Sequence, residues 1–353
     1  MAIGSAVVPE PVALAPMAGI TDAPLRAQVA QFGVGLVVSE MVAAQEFVRN
    51  RANTRKRASL GTADLAIGCA VSVQIAGRSP AEMAETARAA AGGGAAIIDI
   101  NMGCPAKKVT GGATGGSALM REPDLALRII DAVIGAVAAP VTLKMRLGWD
   151  AGCMTGVEIA RRAEAAGVAM LAIHGRTRQQ FFKGRADWAA VRPIVDAVST
   201  PVFVNGDITD PKSAAAALAA SGAAGVMVGR AAQARPWEPG RIAAALRGEV
   251  FHCPGPSERV RLASGHYEAM LSHYGDALGL RAARKHLKWR LGDLMDALDE
   301  PWRARFRARL LRSEQPSDVI SSLTELASLF EGASDTTLGE MSLERRMGKG
   351  RAA

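Results

Sequence analysis

One cysteine of this chain stands where a reacting group is expected. Residues 97–105 begin as an apolar run and end in Asn101, Gly103, Cys104 and Pro105. Because proline has a fixed φ and no N–H, strand pairing must stop near Pro105. The thiol of Cys104 is therefore predicted on a loop at the C-terminal end of a buried strand, where α/β folds place their reacting groups. A thiol there can serve as a proton donor, a nucleophile or a metal ligand.

Polar or small residues follow most of the other apolar runs as well. In a barrel of parallel strands the C-terminal strand ends converge on one mouth, so these residues are predicted to lie together. Packing alone gives no reason for a polar group at nearly every strand end. The residues concerned are Pro16, Met17, Ala18, Gln74, Asn101, Cys104, Lys144, Arg146, His174, Arg176, Arg178, Asn205, Gly206, Asp207, Gly229 and Arg230.

The last two strand ends predict a phosphate site. Gly206 and Gly229 allow backbone N–H groups to approach an anion closely, and Arg230 adds a fork of donors. Barrels commonly bind a cofactor phosphate between the loops after strands seven and eight. The alternative is that both glycines are ordinary turn residues.

Lys144 and His174 need partners of different kinds. Lys144 lies within an apolar strand pattern, and a buried ammonium group is costly unless a partner compensates its charge. A reduced flavin, which is anionic, would compensate it, and an internal ion pair is the alternative. His174 is followed closely by Arg176 and Arg178, which favours ligand contact at the mouth over a place in the core.

The spacing of the apolar runs predicts an α/β fold, a (β/α)₈ TIM barrel, followed by a small all-helical C-terminal domain. Each run is apolar almost throughout, as in parallel strands covered on both faces, and amphipathic segments separate the runs. We expect the barrel over residues 1–245, the helical domain over 255–332 and a disordered tail over 333–353. The strands are predicted at 12–15, 36–39, 71–75, 96–100, 141–145, 170–173, 202–204 and 225–228, and helices between them include 81–91, 123–137, 155–166 and 211–220.

The composition narrows the class of protein. The 353 residues are 49% hydrophobic and 22% charged, which is typical of a globular protein. The four cysteines show no CxxC spacing, so we expect a reducing, cytoplasmic setting, with neither a zinc site nor a redox dithiol. The sequence shows neither a signal-peptide pattern nor a run of about 18 apolar residues, so no membrane association is expected.

The charge distribution favours a polyanionic partner. The net charge is +8, and residues 281–312 hold ten basic side chains against four acidic ones, with Trp289 and Trp302 nearby. This cluster favours RNA binding by the helical domain over a merely solvated charged face.

Taken in order along the chain, these segments resemble the tRNA-dihydrouridine synthase family, specifically its bacterial B-type (NifR3-like) branch. The matches run through the whole predicted barrel and continue into the helical domain. The matching stretches are APMAGITD (15–22), QIAG (74–77), DINMGCPAKKV (99–109), KMRLG (144–148), HGRTR (174–178), NGDI (205–208), GR (229–230), PW (236–237) and RKHL (284–287).

The resemblance implies an enzyme that holds FMN tightly in its barrel. Such an enzyme reduces the C5–C6 double bond of uridines in the tRNA D-loop, with NADPH as the reductant. It implies tRNA and NAD(P)H as partners, no metal, a cytoplasmic location and, as we expect, a monomer. The positions that match the family's FMN contacts or lie near the cofactor are Pro16, Met17, Ala18, Gln74, Lys144, His174, Asn205, Gly206, Asp207, Gly229 and Arg230.

Cys104 matches the residue that protonates C5 of the uracil. A thiol suits this task, since an ordinary cysteine has a pKa of about 8.5 and is protonated at neutral pH yet acidic enough to donate. We expect Asn101, Arg176 and Arg178 to contact the substrate. Among the D-loop uridines, the resemblance favours position 17 as the one reduced.

Two other functions stay open. An FMN-dependent barrel enzyme could act on a small molecule, a pyrimidine or an enone, but it would give no role to the basic helical domain. A non-catalytic barrel that binds RNA or protein would leave Cys104, Lys144 and His174 without a role.

Overall fold

The computed structural model describes residues 1–49, 60, 68–111 and 115–331. The chain divides into two compact units. Unit 1 comprises residues 1–232 and 236–250, and unit 2 comprises residues 233–235 and the chain from residue 251 onward. The segment predicted as a disordered tail, residues 333–353, lies outside the described residues.

The strands of unit 1 coincide closely with the apolar runs of the sequence. In chain order they are β1 (Ala2–Ile3), β2 (Ala6–Val7), β3 (Val12–Leu14), β4 (Leu36–Val38), β5 (Val42–Ala43), β6 (Ala70–Ala76), β7 (Ile97–Met102), β8 (Val141–Arg146), β9 (Met170–His174), β10 (Val202–Asn205) and β11 (Gly225–Val228).

Eight of these strands close into a parallel barrel. The hydrogen-bonded order is β4-β3-β11-β10-β9-β8-β7-β6, and pairing between β4 and β6 completes the ring. The short β5 pairs with the end of β6 at Ile75 and Ala76, and β1 and β2 form a separate antiparallel pair. The predicted (β/α)₈ barrel is therefore confirmed.

The helices between the strands begin with the capping chemistry that the sequence shows. The Ser79 hydroxyl accepts a hydrogen bond from Glu82 N ahead of the helix that starts at Pro80, and Asp210 forms a capping box with Ser213. The helices numbered before the second unit are α1 (Ala23–Ala30), α2 (Ala44–Val48), α3 (Pro80–Gly92), α4 (Lys107–Thr110), α5 (Pro123–Ile134), α6 (Gly156–Ala166), α7 (Arg192–Val195), α8 (Pro211–Ser221), α9 (Ala231–Ala234) and α10 (Glu238–Leu246), with 3₁₀ turns at Gly116–Arg121 and Ala189–Val191.

Three features differ from the sequence prediction. Strand β7 continues to Met102, so Asn101 lies in the sheet opposite Lys144 instead of beginning the loop. The helix predicted at 123–137 ends at Ile134, with Gly135 at its C-cap. The two-residue strands β1, β2 and β5 were not predicted, because two residues are too few to show a periodic pattern.

Side chains along each barrel strand alternate between two separate apolar clusters. On β9, for example, Leu171 and Ile173 pack in the large cluster that includes helix residues, whereas Met170 and Ala172 pack in a small second cluster. The second cluster also holds Ala13, Leu36, Phe203 and Met227, and it is the barrel interior because alternate residues of a strand face opposite sides of the sheet.

The polar residues of the strands occupy the interior-facing positions. Val71, Val73 and Ile75 of β6 belong to the outer cluster, so the intervening Ser72 and Gln74 face inward. The same alternation turns inward the remaining polar strand residues Asp99, Asn101, Thr142, Lys144, Arg146, His174 and Asn205.

The described part of unit 2 beyond residue 250 contains four helices around its own apolar core. Helices α11 and α12 pack extensively against each other, and the core includes Tyr267, Leu291, Phe306 and Leu323. The four helices are α11 (Pro256–Tyr274), α12 (Asp276–Asp296), α13 (Glu300–Arg312) and α14 (Pro316–Leu329). No helix within the described ranges is long and apolar enough to cross a membrane.

Candidate active site

A chain of hydrogen bonds joins the inward-facing polar residues of β6, β7 and β8. Gln74 Nε2 donates to Asp99 Oδ2 at 2.6 Å, and Thr142 Oγ1 donates to Asp99 Oδ1 at 2.6 Å. Asn101 Nδ2 in turn donates to Gln74 Oε1 at 2.7 Å. Burial raises the pKa of Asp99, while the hydrogen bonds from Thr142 and Gln74 and the charge of Lys144 oppose that rise. This series of hydrogen bonds fixes the side chain of Asn101 at the end of β7.

Asn101 holds the loop that bears Cys104. Its Oδ1 accepts hydrogen bonds from Gly103 N at 3.2 Å and from Cys104 N at 3.0 Å. The Cys104 carbonyl accepts from Ser117 N and Ser117 Oγ, at 3.1 and 2.9 Å. The half-buried thiol is thus carried on a backbone anchored on both sides. The predicted position of Cys104, on a loop at the C-terminal end of a strand, is confirmed.

Arg146 fastens the same loop from the neighbouring strand. Its Nε donates to Gly103 O at 2.7 Å, and its Nη1 donates to Thr177 O at 2.8 Å and to Phe181 O at 2.9 Å. The side chain is 1% exposed. Burial and then the nearby charge of Arg176 lower the pKa of Arg146 to about 10. Arg146 therefore ties the loop after β7 to the loop after β9.

Lys144 lies across the barrel interior from Asn205. Its Nζ donates to Asn205 Oδ1 at 3.0 Å, and Asn205 Nδ2 donates to Met227 O at 2.7 Å. The direct partner is a neutral carboxamide, which differs from the internal ion pair that the sequence left open. Burial, reinforced by Arg146, lowers the pKa of Lys144 to about 8. A ligand with negative charge would relieve that cost.

His174 is held in an uncharged form. Burial, followed by the charges of Lys144, Arg146 and Arg176, lowers its pKa to about 2. His174 Nε2 lies 3.1 Å from Arg176 Nη1. Because a guanidinium can only donate, Nε2 accepts, and the ring proton resides on Nδ1. His174 is thereby prepared as a neutral donor at the mouth of the barrel.

Arg176, predicted as a substrate contact, has a buried side chain beside His174. The side chain is 1% exposed, and it donates to Lys183 O, to Gly184 O and to Asp207 Oδ2, the last at 2.5 Å. These contacts lock the loop after β9 against the loop after β10. These contacts give Arg176 a positioning role between the two loops, and its contact with the substrate stays a prediction.

Asp207, predicted as a cofactor contact, pairs with two guanidinium groups. Its Oδ1 accepts from Arg230 at 2.7 Å, and its Oδ2 accepts from Arg176 and from Ala186 N. Burial alone would raise the pKa of Asp207, but the hydrogen bond from Ala186 and the two arginine charges lower it. Asp207 adopts a φ of +54° directly after Gly206 at +115°, a left-handed pair that turns the chain sharply. The carboxylate aims the guanidinium of Arg230, whose side chain is 59% exposed.

The loop after β3 and the end of β11 lie beside each other. Pro16 and Met17 are half-buried, and Ala18 is exposed. A methyl group built on Gly229 would come no nearer than 3.7 Å to protein atoms, those being Ala15 Cβ and Met17 Sδ. Neither packing within the protein nor a left-handed φ therefore requires glycine at position 229.

The structure brings most of the predicted site residues to one mouth and adds others. Arg178 lies on the rim, where its guanidinium packs against Trp149 and Phe181. Phe182 is 55% exposed beside His174 and Arg146. The sequence analysis did not identify Asp99 and Thr142 as site residues. Polar residues at every second position in 72–74, 99–101 and 142–146 indicate one polar face of each strand, and this pattern could have identified them. Within the described residues, no group of three or more His, Cys, Asp or Glu side chains is placed to hold a metal.

Comparison with known proteins places this site in a family. The profile of the dihydrouridine synthase (Dus) family matches residues 13–328. A probable tRNA-dihydrouridine synthase of Rhodobacter capsulatus is 55% identical over 324 residues, covering 92% of this chain and 96% of that relative. The tRNA-dihydrouridine synthase B of Xanthomonas axonopodis pv. citri is 46% identical over 318 residues, covering 90% and 92% of the two chains.

Among solved structures, morphinone reductase shares the fold. It has a TM-score of 0.52 at 16% sequence identity, over 73% of this chain and 91% of that one. The closed parallel barrel with a ring of donors at one mouth defines a protein of the TIM-barrel class. The chain belongs to the dihydrouridine synthase family, as the sequence predicted, and B-type enzymes are among its relatives.

Proposed function

We propose that this protein is an FMN-dependent tRNA-dihydrouridine synthase that reduces the C5–C6 bond of D-loop uridines, with NADPH as the reductant and Cys104 as the proton donor to C5. One observation carries the proposal: an anchored thiol shares the barrel mouth with a buried ammonium group that pairs directly with no carboxylate of the described residues. Family membership supports the substrate class.

The residues present fit a bound flavin phosphate and ring. Gly229 is free of any packing reason to be glycine, so a ligand can approach the backbone there. Arg230 is exposed and aimed by Asp207, which suits a phosphate. The residues proposed to hold FMN are Pro16, Met17, Ala18, Gln74, Lys144, His174, Asn205, Gly206, Gly229 and Arg230, with Asp207 acting through Arg230.

When bound and reduced, FMN supplies the hydride that adds to C6 of the uracil. Lys144 places its positive charge in the barrel interior, where it stabilises negative charge on a ligand far better than a solvated lysine would. Asn101 uses one N–H on Gln74, so its second N–H can donate to a uracil carbonyl. His174 offers its neutral Nδ1–H to the same region.

Cys104 completes the reduction by giving its proton to C5. The transfer leaves a thiolate, and Lys144 and Arg146 lie close enough for their charges to interact with it. Asn101 and Arg146 hold the backbone just before Cys104, and Ser117 holds the Cys104 carbonyl after it, so the thiol stays oriented while its charge changes.

Replacement of Cys104 tests this assignment. We expect Cys104→Ala to retain bound FMN and its reduction by NADPH but to lose dihydrouridine formation in tRNA, measured by nucleoside mass spectrometry. Cys153→Ala, a change at another half-buried cysteine, should behave like the wild type. Normal dihydrouridine formation by Cys104→Ala would overturn the role of the thiol. A colourless wild-type protein with no flavin absorbance would overturn the proposed cofactor.

A further inference from the structure

A ladder of stacked cations and aromatic rings lies on the rim of unit 1. The guanidinium carbon of Arg121 lies 4.1 Å from the centroid of the Trp149 ring, and that of Arg178 lies 4.4 Å from the same centroid. Arg178 also lies 5.0 Å from the ring centroid of Phe181. Stacking of this kind holds a guanidinium in place while its edge donors stay available.

The positive charges around this ladder are not neutralised. Lys107, Lys108, Arg121 and Arg178 have no carboxylate within ion-pair distance among the described residues. Arg178 Nε is buried without a hydrogen-bond partner, and its Nη2 reaches only Thr110 Oγ1, at 3.4 Å. We name Lys107, Lys108, Arg121, Trp149 and Arg178 the rim cluster.

The rim cluster adjoins the Cys104 loop. Lys107 and Lys108 begin the short helix that follows Cys104 and Pro105, and both are exposed. Arg178 contacts Thr110 of the same helix. Its charge also helps to lower the pKa of Arg146, the residue that donates a hydrogen bond to Gly103 O. The cluster therefore lies beside the proposed proton donor and outside the set of residues proposed to hold FMN.

The basic helices of unit 2 present a different picture. Arg303, Arg305, Arg307 and Arg309 each pair with a carboxylate, and Arg290 is buried. The net excess of 281–312 remains, because Asp296 and Glu300 are already counted in it, but these four guanidinium groups are engaged by carboxylates. The cations of the rim cluster have no carboxylate partner among the described residues and stay available for a polyanion.

We propose that the rim cluster binds the RNA strand that flanks the reacting uridine, with Lys107, Lys108, Arg121 and Arg178 on phosphates and Trp149 supporting the two arginines. The proposal rests on the proposed function for the identity of the RNA as tRNA. Planar cations beside an aromatic ring suit a sugar–phosphate backbone, and contacts there would offset the cost of turning a uridine out of the folded loop.

Binding of an unmodified tRNA transcript to the full-length protein tests the proposal. Arg121→Gln and the double change Lys107→Gln with Lys108→Gln should lower the slope of log K against log salt by about 0.7–0.9 per charge removed. At ~0.15 M salt this corresponds to a dissociation constant roughly four- to fivefold higher per charge. The matched control is Arg162→Gln, which removes an ion-paired arginine of the same unit and should bind tRNA like the wild type.

Two further readouts make the outcome decisive. Trp149→Leu keeps every charge but removes the stacking support, so it should weaken tRNA binding without changing the salt slope. If the charge variants bind tRNA like the wild type, or if they impair reduction by NADPH as strongly as tRNA binding, the proposal is overturned. If the variants lose tRNA binding but the wild type forms no dihydrouridine, the proposed function fails and the rim cluster stands.

Discussion

Replacing Lys144 with methionine should stabilise the ligand-free protein while weakening its hold on FMN. The pKa of Lys144 is lowered to about 8 from an ordinary value of 10.5, mainly by burial. The folded state therefore opposes the charged form, and below pH 8 this opposition costs the fold about 3 kcal/mol. As the pH rises from about 8 to 10.5 the unfolded state binds more protons than the folded state, so the stability of the wild type should increase over that window.

The substitution also has a cost. Methionine cannot donate to Asn205 Oδ1, and leaving that buried acceptor without its donor costs about 1–2 kcal/mol. The net expectation for Lys144→Met is a gain of about 1–2 kcal/mol in the free energy of unfolding at pH 7, with the rise between pH 8 and 10.5 abolished.

Urea unfolding of flavin-free protein at pH 7 and pH 10 measures both effects, and FMN titration of the same samples measures affinity. Lys212→Met, at an exposed position of α8, is the matched control and should change stability by less than about 0.5 kcal/mol. Two results would contradict the inference that the buried charge of Lys144 destabilises the ligand-free fold. One is destabilisation by Lys144→Met at pH 7, and the other is a wild-type stability that does not rise above pH 8. Unchanged FMN affinity would show that Lys144 does not face the flavin.

Other changes probe the residues that position the site. Asn101→Ala removes the acceptor for Gly103 N and Cys104 N, so dihydrouridine formation should fall roughly ten- to 100-fold in a single-turnover assay with bound FMN retained; an unchanged rate would contradict the anchoring role. Asp207→Asn leaves the buried Arg176 without its carboxylate and should lower the free energy of unfolding by about 2 kcal/mol, whereas Asp124→Asn, at an exposed pair, should have no measurable effect. The ring signals of His174 should show no titration between pH 5 and 8 by NMR, since its pKa is about 2; a step near pH 6.5 would mean that the ring is not buried among cations.

The barrel could be predicted from sequence because apolar residues dominate most of its strands, even where single inward-facing positions are polar. Strand β10 (Val202–Asn205) is apolar up to its last residue, and strand β11 (Gly225–Val228) contains no polar side chain. Even such short strands are therefore recognisable. The end of β7 was harder, because Asn101 resembles a loop residue by type. Its place in the sheet follows from a tertiary contact, the hydrogen bond to Gln74, which no local pattern contains.

The types of the site residues were predictable, but several of their roles were not. A sequence shows that Arg176 follows a strand, yet it cannot show that its donors go to Lys183 O, Gly184 O and Asp207. The same limit applies to charge, since the run of arginines in α13 suggested a free basic face. Its partners come from α12 and α14, for example Asp296 and Glu325, as well as from its own first turn, so the balance appears only once the helices have packed.

The alternation of side chains between the two faces of the barrel wall has a consequence for how this protein can change. Residues such as Ile98 and Ile100 pack against the helices, while Asp99 and Asn101, one position along, face the barrel interior and the proposed active site. The reactive layer can thus vary by point substitution with little effect on the helical jacket, which makes the scaffold tolerant of new chemistry. A single-residue insertion in β7 would exchange the two layers over the rest of the strand, so the same arrangement makes the wall intolerant of changes in length.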